Sequence, residues 1–426
     1  MSTDVQQGLQ YELTEFDFPE LSFVVRGACL KDLYRRECVM RELLRWRKEF
    51  PILSTTTYMI SNSLGAMPCG VSAALEEYAR IWAERGVRAW EEGWWEMAVR
   101  LGDTLAPLLG AERGTISLHE NVTLTQAVIA SCFSFDGPRR KVVLTDKEFP
   151  SLIYFWHAQR RRGAEIELVR TDEDALRVPT EKLRAAIDER TLLVPFSHVL
   201  FRSAYIQDVS AIVEKAHAVG AHVILDAYQS AGVLPVEARK WKLDFLVGGV
   251  LKWLCGGPGV AYLYVRPDLC IQLEPTLTGW LAHPRPFQFE VGPGAYRDDA
   301  FRFLNGTPHI PAFYAARPGL EIIQQVGIDR IRAHSLELTS RLVEQARKRG
   351  WQVHTPEAEH ERGGTVTLAV PRGPEVLREL LRREVLVDYR PGAGIRVSPH
   401  FYNTEEEVDR VITEIADILA RSSLPV

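Results

Sequence analysis

The sequence predicts an α/β protein: a mostly parallel sheet in a large domain, followed by a smaller α+β domain at the C-terminal end. Between about residues 62 and 310, short and nearly continuous apolar runs alternate with helical patterns, as expected when parallel strands are covered on both faces. From about 311 to 426 the texture changes to polar-flanked strands around amphipathic helices. A chain of 426 residues, 46% hydrophobic and 25% charged, is long enough for two such cores.

The elements follow in order. Residues 1–61 read as an N-terminal arm with one helix, roughly Leu30 to Phe50, broken by Pro51. The arm is expected to pack with the C-terminal domain. A second helix runs through VSAALEEYARIWAERG after Pro68-Cys69-Gly70. A third follows in EMAVRLGDTLAPLLG, where Leu101, Leu105, Leu108 and Leu109 recur at helical spacing and belong to the core. KVVLTD is then a strand, 151–163 a helix, and EIELVR a strand. PTEKLRAAIDE is a helix with Thr180 as its cap. TLLVPFSHV is a strand, and DVSAIVEKAHAVG a helix opened by Asp208 and closed by Gly220. HVILDA, DFLVGG and VAYLYV are strands. In the C-terminal domain, GGTVTLAV and EVLVDYR are strands flanking the helix EVLRELLRRE. The last helix opens on a capping box, Thr404 with Glu407, and carries one apolar stripe of Val408, Val411, Ile412, Ile415 and Leu419.

Composition excludes several classes. A formal net charge of −5 gives no basis for nucleic-acid or anionic-membrane binding. No apolar run reaches the ~18 residues of a membrane span. The polar, acidic N-terminus is no signal peptide. The six cysteines, at 29, 38, 69, 132, 255 and 270, stand singly, without metal-site spacing, and fit a reducing cytoplasm.

The chemistry concentrates around DFLVGGVLKWLCGGPGVAYLYV. Lys252 sits between two apolar runs. Read alone, it is either a strand-end lysine whose stem snorkels to solvent, or a partly desolvated amine able to condense with an aldehyde or act as a base. Asp226, ending the strand HVILDA, is either the start of an Asx turn or a carboxylate aimed beyond the carboxyl ends of the strands, where open α/β sheets bind ligands. Together, on successive strand ends, they supply what pyridoxal phosphate needs: a lysine for the aldehyde and a carboxylate that keeps the pyridine nitrogen protonated. Asn121, Val122 and Thr123 precede an apolar helical run. The helix N-terminus and the Thr123 hydroxyl would offer donors to a phosphate.

With these residues in view, the sequence resembles the kynureninase family, within the fold-type I, class V aminotransferase superfamily of pyridoxal-phosphate enzymes. The likeness runs over roughly residues 50–415. It rests on Asn62-Ser63-Leu64-Gly65, GWWEMAVRLGD, the KWLCGGPG box starting at Lys252, GWLAH from Gly279, and FRFLNGTP from Phe301. The resemblance implies a fold-type I transferase fold, a homodimer with cofactor contacts across the interface, and cleavage of the Cβ–Cγ bond of a kynurenine. It makes Lys252 the Schiff-base lysine, Asp226 and Gln229 the tuning-strand contacts, Phe149 the aromatic stacked on the cofactor ring, and Thr123 a phosphate ligand. Trp280 and Asn305 would reach cofactor and substrate, partly across the dimer, and Thr307 a phosphate in the partner. Arg396 would grip the substrate α-carboxylate, a task suited to its planar fork. Outside the family, Phe149 reads equally as core and Arg396 as an ordinary surface arginine. Three positions depart from the family pattern: Leu152 replaces an aspartate, Gln229 a histidine, and Leu251 the tyrosine before the lysine. Tyr154, Tyr228 and His283 are candidates to replace that lost phenol. The departures leave open another class V reaction on a different amino acid. A desulfurase mechanism is disfavoured, since no cysteine follows Cys270.

Overall fold

The computed structural model describes residues 42–172, 176–292 and 294–421. The expected helix from Leu30 lies largely outside them. Its described end is helical over residues 42–44, tightens to a 3-10 turn at Arg45–Glu49 and stops at Phe50; a separate 3-10 turn, Pro51–Ser54, follows.

Among the described residues the strands form three sheets, of seven, four and two strands, and we number the strands in chain order. β1 is Thr57–Tyr58, β2 Ile116–His119, β3 Lys141–Thr145, β4 Glu165–Val169, β5 Thr191–Ser197, β6 His222–Asp226, β7 Phe245–Gly249 and β8 Ala261–Val265. β9 is Gln352–Val353, β10 Val366–Ala369, β11 Val385–Leu386, β12 Asp388–Arg390 and β13 Gly394–Val397. The large sheet has the order β2-β8-β7-β6-β5-β3-β4. The stretch β7-β6-β5-β3-β4 is parallel throughout, and β8 and β2 close one side antiparallel. β3, β6 and β7 are apolar along nearly their whole length because helices cover both faces; Val142, Leu144, Val223, Leu225 and Leu246 are all 0% exposed.

β2 has no counterpart in the sequence reading. It is only four residues long and places Ser117 and His119 in the core, where the Ser117 hydroxyl and His119 Nε2 satisfy each other at 3.0 Å. Also unassigned were two long helices, Ile310–Val326 and Ile328–Lys348. Pro318-Gly319 looks like a break in sequence but lies inside the first of them. Gly319 is needed there because a Cβ would stand 2.2 Å from the Cys255 carbonyl oxygen. The Thr180 cap is corrected: Pro179, in an extended conformation, takes the cap position, and Thr180 is the first helical residue. Asp208 does cap its helix, accepting from Ala211 N at 3.0 Å.

The second sheet, β12-β13-β10-β9, is antiparallel. It packs against the Glu405–Arg421 helix, whose Val408, Val411, Ile412 and Ile415 are fully buried. The capping box is formed: Thr404 N donates to Glu407 Oε2 at 2.9 Å, and Glu407 N to Thr404 Oγ1 at 3.2 Å. β1 pairs in parallel with β11, so residues just ahead of the Asn62–Gly65 motif join the C-terminal part of the chain.

Candidate active site

The carboxyl ends of four parallel strands meet at one edge of the large sheet. β6 ends at Asp226, directly across from Ser197 at the end of β5. β3 leads through Thr145 to Glu148 and Phe149, and β7 leads through Gly249 to Leu251 and Lys252. Between these ends lies a cavity of about 240 Å³. Of the residues singled out in the sequence, Asn121, Val122, Thr123, Phe149, Asp226, Gln229 and Lys252 line it, and so do the departing positions Leu152 and Leu251.

Lys252 Nζ stands 4.3 Å from the ring centroid of Tyr228 and 5.7 Å from that of Phe149. It has no hydrogen bond or ion pair among the described residues. Burial pulls its pKa below the usual lysine value; Asp226 opposes that shift, and Arg396 and Arg390 add to it. Burial pushes the Asp226 carboxyl the other way, above the usual carboxylate range, while its Oδ1 accepts from Tyr228 N at 2.8 Å. These opposed shifts belong to one amine and one carboxyl group sharing a poorly solvated site.

The turn that carries the lysine is braced from several directions. The Trp253 carbonyl accepts from His400 Nε2 at 2.7 Å, and the Trp253 indole donates to Gln229 Oε1 at 3.2 Å. Gln229 Nε2 donates in turn to the Asn62 carbonyl at 3.0 Å. Thus Gln229 lines the cavity, but most of its amide holds the lysine turn. Gly65 N donates to the Leu251 carbonyl at 2.9 Å, and a Cβ on Gly65 would come within 2.1 Å of the Lys252 carbonyl oxygen. The Asn62–Gly65 motif is therefore a backing plate for the lysine.

At the other end, the Val122–Ser131 helix opens on Asn121, whose Oδ1 accepts from Leu124 N at 3.0 Å. Its first turn faces the cavity with Val122 and Thr123. Gln126, one turn on and on the same face, also lines the cavity. Its Oε1 accepts from Trp156 Nε1 at 3.1 Å, while its buried Nε2 has no partner among the described residues. Helical spacing from Val122 was the signal available for it. Phe149 is not a core residue: it is 44% exposed and meets Phe201 edge-on at 5.2 Å.

Other candidates lie elsewhere. Trp280 is 45% exposed, donates from its indole to the Pro286 carbonyl at 2.7 Å, and packs with Trp95. Asn305 Oδ1 accepts from Gly306 N, and Thr307 is exposed. None of the three lines the cavity of its own chain. Arg396 is buried rather than superficial, and it too stands outside the lining. Its Nε donates to Asp388 Oδ1 at 2.7 Å, its Nη2 to Asp388 Oδ2, and its Nη1 to the carbonyl of the lining residue Phe201 at 2.6 Å. The sequence reading missed Asp388, although it is the cross-strand neighbour of Arg396 in the β12–β13 hairpin. Of the three candidates to replace the phenol lost at Leu251, only Tyr228 reaches the cavity. Tyr154 is 72% exposed, and His283 lies 3.8 Å from Glu290.

Among the described residues there is no His/Cys/Asp/Glu group suited to a metal ion, and no helix long and apolar enough to cross a membrane. The donor set fits pyridoxal phosphate. It offers an unpartnered amine for an aldehyde, a buried carboxyl group for a ring nitrogen, an exposed aromatic face, and a helix N-terminus beside an orphaned amide for a phosphate.

Comparison with known proteins agrees. Residues 103–411 match the family model described as aminotransferase class-V. An uncharacterized aminotransferase, YcbU of Bacillus subtilis (strain 168), is 32% identical over 87% of this chain and 97% of its own. A kynureninase from Burkholderia pseudomallei (strain 1106a) is 31% identical over 88% of this chain and 91% of its own. A C-DES variant with glycine covalently linked to its PLP cofactor superposes with a TM-score of 0.79 at 22% identity, over 87% of this chain and 99% of that one. The chain belongs to the class-V aminotransferase family of pyridoxal-phosphate enzymes, with the fold-type I architecture.

Proposed function

We propose that this enzyme hydrolyses the Cβ–Cγ bond of L-kynurenine or a ring-substituted kynurenine, giving an anthranilate and L-alanine. The observation that carries the reading is the Tyr228 phenol, set in an apolar cavity with its ring 4.3 Å from Lys252 Nζ. Burial pushes that phenol up to about 12, so it stays a hydrogen-bond donor at neutral pH. Hydration and cleavage of a γ-carbonyl put negative charge on oxygen, and a fixed donor in a dry site stabilises it. Kinship over 88% of the chain with kynureninases supports the same assignment.

In this reading the cavity-lining residues serve the cofactor, and Arg396, Trp280, Asn305 and Thr307 take the roles that the family resemblance implies. Pyridoxal phosphate, when bound, supplies an aldehyde for amines and a ring that withdraws electrons from the substrate Cα. Lys252 would hold that aldehyde, and its free amine would move the proton at the substrate Cα. Asp226 holds the proton on the ring nitrogen. Asn121, Val122 and Thr123 bind phosphate at the helix N-terminus, Phe149 covers the ring, and Gln229 steadies the lysine turn at the cavity wall. Arg396 receives the substrate α-carboxylate. Trp280, Asn305 and Thr307 act across a homodimer interface, in the partner's site.

A second reading, an aminotransferase, epimerase or β-lyase on another amino acid, is favoured by Leu152 and Leu251 and by the aminotransferase relative. A panel of amino acids given to the purified holoenzyme separates the two, with products identified by mass spectrometry. Anthranilate plus alanine from kynurenine is the expected result. Keto acid, pyruvate or racemised product, with kynurenine untouched, would replace our reading with the second.

A further inference from the structure

Arg396 is 2% exposed and already committed on one side. A guanidinium has five N–H donors in a fixed fork. Nε and one hydrogen of Nη2 go side-on to the Asp388 carboxylate, and one hydrogen of Nη1 goes to the Phe201 carbonyl. One hydrogen on each of Nη1 and Nη2 is left, at the outer end of the fork.

Asp388 is itself held in place. Its Oδ2 also accepts from Ser63 Oγ at 3.2 Å and pairs with Arg390 Nη2 at 3.1 Å. Ser63 belongs to the motif whose Gly65 backs the Lys252 turn. Arg390, Asp388 and Arg396 therefore form a cluster of two cations and one anion, with a net charge of +1, in which Arg396 and Asp388 are buried and Arg390 is partly exposed. The cluster lies close enough to perturb Lys252. Its buried guanidinium, Arg396, can be matched by one further carboxylate, whereas two guanidiniums without Asp388 between them would repel each other.

We propose that Asp388 is a positioning residue for the substrate carboxylate: it clamps Arg396 side-on, so that only the Nη1/Nη2 end is available to receive the anion. Asp388 thereby makes the site selective for amines that carry a carboxylate on Cα. This rests on the proposed readings of Lys252 with pyridoxal phosphate as the amine-binding centre and of Arg396 as the receiver of the carboxylate, and not on kynurenine as the substrate.

The test is absorbance titration of the holoenzyme at the cofactor band with two probes, L-alanine and ethylamine, which differ by the carboxylate. Wild type is expected to take alanine at least tenfold more tightly than ethylamine. Asp388→Asn should weaken alanine at least tenfold and leave ethylamine within twofold. Asp388→Glu should recover part of the loss. Ser63→Ala, which removes one bond to Asp388 without changing charge, should weaken alanine two- to fivefold, again without moving ethylamine. That variant decides the matter if Asp388→Asn does not fold. The proposal is overturned if wild type does not discriminate between the probes, or if the variants weaken both equally or neither. Failure of the kynurenine reading would appear in the product panel instead, with this titration intact.

Discussion

Gly65→Ala adds a single methyl group far from any substrate, yet it should disable the site. The new Cβ would lie 2.1 Å from the Lys252 carbonyl oxygen, 2.9 Å from Cys255 Cα and 3.0 Å from Cys255 Sγ. Real Cβ atoms essentially never approach closer than 3.0 Å, so the carbonyl or the Gly65 backbone must retreat by about 0.9 Å. Two of the three obstacles are backbone and cannot rotate away. Gly65 itself has no left-handed backbone conformation, so alanine adds no strain of its own and slightly favours folding through the unfolded chain. The cost is steric: about 1–3 kcal/mol of overpacking, or a fall of a few degrees in Tm for a protein of this size. Function should suffer more. A displacement near 1 Å at the lysine that must meet aldehyde and Cα proton is expected to lower kcat about 100-fold. The assays are kcat on whichever amino acid the product panel identifies, the visible absorbance of bound cofactor, and a melting curve. Gly137→Ala, at a position with open space around it, is the control and should behave as wild type. A Gly65→Ala enzyme with wild-type kcat and cofactor absorbance would refute the view that this motif sets the position of the lysine.

Tyr228→Phe keeps the ring over Lys252 but removes the donor. It should lower kcat for Cβ–Cγ cleavage about 10²–10³-fold while leaving cofactor absorbance unchanged; a loss under threefold, read from steady-state anthranilate release, would remove Tyr228 from the mechanism. Glu148 is buried behind the site, its carboxylate oxygens facing Thr145 Oγ1 and Ser197 N at 2.9 Å each, and burial pushes it up to about 7. Its folded pKa lies above the unfolded value, so its contribution to stability is greatest below about pH 4.5 and falls as pH rises toward 7, by roughly 3 kcal/mol at most. Glu148→Gln should therefore melt higher than wild type at pH 8 and lose that advantage at pH 5; an equal difference at both would contradict a protonated Glu148.

The parts of the cavity lining that were legible in the sequence share one property: local pattern specifies them. Asp226 and Lys252 each end or follow an apolar run that is a buried parallel strand, so their placement at the sheet edge follows from strand order alone. The Asn121–Thr123 turn announces itself as a helix start. Gln126 is marked only by its helical spacing from Val122, and Phe201 carries no such mark. Their roles arise from helix facing and from a loop between β5 and β6. Asp388 needed the register of a hairpin, since only antiparallel pairing puts it opposite Arg396. Pro318-Gly319 hid a helix because their local preference is outweighed by packing on the Cys255 turn. Trp280, Asn305 and Thr307 stand out as motif residues, yet a single chain does not bring them to Lys252.

Ser63 and Asp388 touch across 325 positions of sequence, and β1 finds β11 over a similar span. A ribosome makes the first partner early and the second almost last. The nascent chain can assemble the large sheet around Asp226 and Lys252 well before it owns an anchor for a carboxylate. If Arg396 and Asp388 act as proposed, cofactor capture and discrimination among amines are separated in time during biosynthesis. A chain stalled before residue 388 would then hold its buried amine without the carboxylate anchor.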